Sequence, residues 1–93
     1  MTAYIVAHAT PKDAEKLQAY GALAVPTLAA YGGKFVARGP SEVLAGEHAH
    51  KVMVVLEFQD KDAAKRWYNS PEYQAAIPTR LEAMDSVFIL GGE

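Results

Sequence analysis

The chain has 93 residues, of which 51% are hydrophobic, no cysteine, and a formal net charge of −2. That bounds it to one domain, 1–93, with a real core, and a domain of this size gains from further burial against a partner. Missing cysteine removes disulfides, thiolate nucleophiles and thiolate metal sites, and interspersed charges without a Lys/Arg run argue against nucleic acid or a membrane surface as partner.

Ala3 to Ala9 reads as a first strand. Thr10-Pro11 then opens a helix, with Thr10 as cap, Pro11 where a missing N–H is tolerated and Asp13 in the first turn. Leu17, Tyr20, Ala24 and Leu28 recur at helical spacing as its buried stripe. Pro26 predicts a kink or break, with a short helical piece through Ala30 that Gly32-Gly33 ends.

Lys34 to Arg38 reads as strand two. Gly39-Pro40 predicts a turn or bulge, Glu42 to Ala45 a resumption of pairing, and Gly46 to His50 a loop. Lys51 to Phe58 is strand three, apolar on both faces: Val52, Val54, Leu56 and Phe58 on one, Met53 and Val55 on the other, with Glu57 near the end of that second face. Asp60 caps a helix carrying Ala63, Ala64, Trp67 and Tyr68. Ser70-Pro71 starts another through Tyr73, Ile77, Leu81 and Met84, with a kink at Pro78. Val87 to Leu90 is the last strand.

The order βαββαβ predicts an α+β, ferredoxin-like sandwich: a four-stranded antiparallel sheet, helices on one face, strand three between strands one and two. Helices from so short a chain cover one sheet face only. A strand that is apolar on both sides therefore calls for a second copy, and two bare faces packed together make a dimeric α/β barrel.

Four stretches, Pro26-Thr-Leu-Ala-Ala-Tyr-Gly-Gly33, Phe35-Val-Ala-Arg-Gly39, Val54-Val-Leu-Glu-Phe58 and Arg66-Trp-Tyr-Asn-Ser-Pro-Glu-Tyr73, resemble the DUF1330 family, part of the dimeric α/β barrel superfamily. The resemblance covers nearly the whole chain. It implies the ferredoxin-like fold and a homodimer, and no activity. Superfamily relatives include cofactor-free monooxygenases, small lyases and isomerases, haem-degrading enzymes and stress-responsive proteins, whose chemistry comes with the fold by analogy alone.

Among candidate site residues, Glu57 is a carboxylate on an otherwise apolar face, which must pair, protonate or meet water. Arg38 is its expected partner across a hairpin. The pair reads either as an interface salt bridge or as an anion anchor with a general base. Tyr4 and Tyr31 are expected at the same sheet end. His8 is expected near the start of strand three, on the order of 15 Å from Glu57, too far for a dyad within one chain. His48 and His50, two apart on an extended segment, suggest a metal. A zinc site needs three or four ligands, no further His or Cys lies near in sequence, and the pair reads as an exposed loop. No cofactor fingerprint is present.

Two readings follow. In one, a homodimer binds a small organic molecule in a cleft between sheet and partner, through Arg38, Glu57, Tyr4 and His8, with enzymatic activity open and no cofactor. In the other, a non-catalytic structural or regulatory dimer uses Arg38 and Glu57 as an interface lock. The N-terminus has neither the basic start nor the long apolar core of a signal peptide, and no stretch reaches the ~20 residues of a membrane helix, so a soluble, cytoplasmic protein is expected.

Overall fold

The computed structural model describes residues 2–92; Met1 and Glu93, which the 1–93 domain includes, lie outside the described residues. The chain runs β1 (Ala3–Pro11), α1 (Ala14–Leu28), a 3-10 turn (Ala29–Tyr31), β2 (Lys34–Pro40), β3 (Val52–Phe58), α2 (Lys61–Tyr68), α3 (Pro71–Gln74), α4 (Ile77–Ala83) and β4 (Met84–Gly92). The strands form one sheet in the order β2-β3-β1-β4, with every neighbouring pair antiparallel. This is the expected ferredoxin-like arrangement.

The period of two along each strand divides the sheet into two faces. Ala3, Ile5, Ala7 and Ala9 of β1 and Leu56 and Phe58 of β3 are buried against the helices. Tyr4, Val6 and His8, with Met53, Val55 and Glu57, are half-buried on the opposite face, which none of the described helices covers. Val87 and Ile89 of β4 share that open face and are about half exposed (46% and 50%). An apolar sheet face left in this state lacks its cover.

Trp67, Tyr73 and Phe58 are the largest fully buried side chains, with the Trp67 and Tyr73 rings 4.2 Å apart. The indole Nε1 of Trp67 donates to Thr27 Oγ1 at 2.8 Å, and that hydroxyl donates to the Ala24 carbonyl at 2.6 Å, so α2 is tied to α1 through a satisfied polar chain. Asp60 and Ser70 cap α2 and α3 through Ala63 N–H and Tyr73 N–H, as the sequence suggests.

Several local expectations are corrected. Asp13, not Thr10, caps α1, accepting from Glu15 and Lys16 N–H, because β1 continues through Thr10 and Pro11 to pair with β4. Pro26 does not break α1. Pro26 and Ala22, one turn before it, are both exposed, so the carbonyl deprived of its partner lies on the wet side of the helix. The irregularity in β2 falls at Val36 rather than at Gly39-Pro40, and Glu42 to Ala45 is irregular rather than paired. Finally, the second helical region divides after Gln74. The break turns the following face, leaving Leu81 60% exposed and bringing Arg80 inward instead.

Candidate functional site

The helix-facing side of the sheet is not filled. α1 packs mainly on α3 and α4 and stands off the strands. Where it crosses the central strand, small residues meet small residues: Ala7 and Ala9 below, Gly21 and Ala24 above. The result is a cavity of about 420 Å³, walled by Val54, Leu56, Trp67 and Phe88 and running out to the edge strand β2. Protein interiors ordinarily leave few voids larger than a water molecule, so a space this large is a binding-site candidate rather than a packing defect.

The mouth lies beside β2. Phe35, Arg38 and Pro40 line it from the strand and Val25 from the helix; Phe35 and Val25 are 43% and 44% exposed. Arg38 is the one charged side chain among the residues lining the cavity, and its guanidinium carbon sits 5.9 Å from the centre of the Phe35 ring. The wall is otherwise apolar. It can hold a flat or branched hydrocarbon skeleton, and its charged rim can meet an anionic group.

Behind the cavity lies a polar cluster that sequence reasoning missed. The hydroxyls of Tyr20, a cavity-lining residue, and Tyr73 share a hydrogen bond of 2.7 Å. Arg80 Nη1 donates to the hydroxyl oxygens of Tyr73 (2.9 Å) and Tyr68 (3.2 Å), and its guanidinium lies 4.7 Å over the Phe88 ring. No carboxylate among the described residues pairs with Arg80, and its Nε is buried without a hydrogen-bond partner. Burial, and then the neighbouring Tyr73, pushes the Tyr20 phenol far up. Burial also raises Tyr73, against the opposing hydrogen bonds from Tyr20 and Arg80. Both phenols are therefore neutral hydrogen-bonding groups at ordinary pH. The one signal for Arg80 was its seven-residue spacing from Tyr73, which on a helix places the two on one face.

The residues expected to meet in one cleft are divided between the two sheet faces. Arg38 pairs in register with Val54, three residues short of Glu57, and lines the helix side. Glu57 is on the open side, where its carboxylate accepts Lys34 Nζ at 3.0 Å. The expected Arg38–Glu57 pair is therefore absent from the chain. The bulge at Val36 sets Lys34 on the open side while Arg38 falls on the helix side. Tyr4 does lie directly opposite Glu57. Tyr31 does not join them; its hydroxyl donates to Glu72 at 3.0 Å on the helical side. His8 lies opposite Met53, near the start of β3 as expected and four register positions from Glu57. Burial, followed by the nearby rings of His48 and His50, holds His8 below the usual histidine range. Among the described residues no helix is long and apolar enough to cross a membrane.

Known proteins with this architecture lie close in shape and distant in sequence. A protein of unknown function from Rhodopseudomonas palustris superposes with a TM-score of 0.81 at 22% identity, covering 99% of this chain and 82% of that one. A dimeric ferredoxin-like protein of unknown function from Jannaschia sp. CCS1 gives 0.76 at 13%, with both chains covered in full (100%). SnoaB, a cofactor-independent oxygenase from Streptomyces nogalater, gives 0.72 at 16%, covering 99% of this chain and 92% of that one. At these identities the likeness is one of fold. The curated proteins contain no match. The model of the domain of unknown function DUF1330 matches residues 2–92, and the chain belongs to that family.

Proposed function

We propose that the protein binds a small, mainly apolar organic molecule bearing an acidic group in the cavity between α1 and the sheet, and does so as a homodimer joined through the open sheet faces. One observation carries the reading: a cavity of about 420 Å³ whose lining is apolar except at the rim, where Arg38 stands. The volume falls within the ~300–1,000 Å³ of small-molecule sites. A guanidinium at the mouth of an apolar pocket selects carboxylate, phosphate or enolate oxygens, because it offers planar paired donors and keeps its charge.

This reading keeps Arg38 as a ligand-binding residue and moves the ligand to the helix side of the sheet. Tyr4, His8 and Glu57 then belong to the homodimer face with Val6, Met53, Val55, Val87 and Ile89. The half-exposed state of these apolar residues supports that assignment, as does the dimeric description of the Jannaschia protein. A purely structural dimer is the weaker account. It has no use for a void that larger side chains would fill with a gain in stability, and the Arg38–Glu57 lock it invokes is replaced by Lys34–Glu57. The likeness to SnoaB is one of fold, and the binding reading stands without any reaction.

Trp67 lines the cavity and is the sole tryptophan of the chain, so its fluorescence reports occupancy. Aryl carboxylates titrated into the protein are expected to change Trp67 emission saturably. Arg38→Ala should weaken the acids roughly tenfold, about 1.4 kcal/mol, while leaving the corresponding neutral amides unchanged. Gly21→Leu, which builds into open space, should abolish both. The proposal fails if the wild-type protein gives neither saturable quenching nor a thermal shift, or if Arg38→Ala affects acids and amides alike.

A further inference from the structure

We infer that His8, His48 and His50 form a binding site for a first-row transition-metal ion such as Zn²⁺ or Ni²⁺ at one end of the open sheet face. Sequence offers two imidazoles two residues apart, one short of a metal site. The fold supplies the third. The irregular segment between β2 and β3 turns back over the sheet and sets the His48 ring 4.4 Å from that of His8, edge to face, with the His50 ring 5.7 Å from that of His48. His8 is carried on β1, the central strand flanked by β3 and β4, so one ligand is rigid.

Two of the three rings have a nitrogen free for such a role. His50 Nδ1 is engaged at 3.0 Å with Thr10 Oγ1, two residues along β1 from His8, which orients the ring and leaves Nε2 for an ion. His8 Nδ1 is buried with no hydrogen-bond partner, so this ring has coordinating capacity that the protein itself does not use. As the rings stand, no group of three donors among the described residues is set to hold a metal. Closing the site requires the two loop histidines to turn. The hydrogen bonds that close this segment lie at its ends, from Ser41 N–H to the Lys51 carbonyl at 2.9 Å and from Ser41 Oγ to the His50 carbonyl at 3.4 Å, and His48 between them is exposed.

The donor set names the class of ion. Three imidazoles and no thiolate suit zinc, nickel, cobalt or copper and not magnesium or calcium, which take oxygen ligands. Three protein ligands leave a fourth position for water. Charged residues adjoining these positions in sequence or register are Lys51, immediately before β3, Glu47 within the loop, and Asp85 of β4, which lies opposite Thr10 and is already paired with Lys12 at 3.3 Å.

The untagged full-length chain should be titrated calorimetrically with Zn²⁺ and Ni²⁺, with Mg²⁺ as control, and with Co²⁺ in the visible range. The expected result is one transition-metal ion per chain, no magnesium binding, and d–d bands of low-coordinate cobalt. His8→Ala, His48→Ala and His50→Ala should each weaken binding roughly tenfold or more. His48 and His50 are on an irregular segment, so circular dichroism of those two variants should match the wild type. Absence of binding by the wild-type chain overturns the inference. So does binding that survives all three substitutions, and loss confined to the loop variants overturns the assignment of His8.

Discussion

The two faces of one sheet make opposite use of apolar residues. On the helix side the chain supplies a cover, yet the alanines and the glycine that face one another beneath it leave an apolar space with Arg38 at its mouth. On the other side Val6, Met53, Val55, Val87 and Ile89 share an apolar face that none of the described helices covers, bounded by Lys34 and Glu57 at one end and three histidines at the other. Burial pattern alone therefore does not locate a ligand site. A void arises where small side chains face each other, and an interface where larger ones face nothing.

The largest expected effect tests the open side. Val55→Asp places a carboxylate in the middle of that face; sedimentation at micromolar protein should show dimerisation weakened at least roughly a hundredfold, near 3 kcal/mol, with the monomer still folded. A wild-type chain that is monomeric at this concentration would show that the open face is not a homodimer interface.

The next effect tests the helix side through pH. Tyr20 and Tyr73 have folded pKa values raised mainly by burial. The folded chain therefore keeps protons that the unfolded chain releases above pH ~10. Their contribution to stability is complete below that value and is lost as pH climbs toward the folded pKa. Urea midpoints should fall between about pH 9 and about pH 11. The Tyr20→Phe/Tyr73→Phe double variant should show a shallower fall; an unchanged slope would mean that other groups govern alkaline unfolding.

Two glycines then separate packed from empty regions on that same side. A Cβ at Gly33 would lie 2.6 Å from Phe58 Cε2, and Phe58 is almost wholly buried, so Gly33→Ala should cost about 1–3 kcal/mol in chemical denaturation. At Gly21 nothing lies within 4 Å, and Gly21→Ala should instead raise stability by up to about 1 kcal/mol through helix propensity. Equal costs at both sites would contradict the void. The smallest effect is at Lys34, whose ion pair with Glu57 is largely exposed on the lysine side; Lys34→Ala should change monomer stability by less than about 1 kcal/mol.

Element types, strand order and the two-faced character of β3 were legible because they follow from short-range periodicity and from cap residues such as Asp60 and Ser70. The partner of Glu57 was not. One extra residue at Val36 decides which of Lys34 and Arg38 shares its face, and nothing in the local pattern marks a bulge there. The third histidine was equally hidden, since His8 and His48 are brought together only by a loop that returns across the sheet. Arg80 was overlooked because its partners, the hydroxyls of Tyr68 and Tyr73, lie on two other helices that only the fold brings to it.

By itself, then, the order of residues determined the ferredoxin-like architecture and the existence of an apolar face in need of a partner. Both are sums over many side chains repeating with the period of a helix or strand, and a single irregularity does not overturn such a sum. The tertiary structure alone decided where empty space lies, which cation meets Glu57, and which imidazoles gather. Each of those depends on one register or one loop path, and a shift of a single residue exchanges the two faces of a strand.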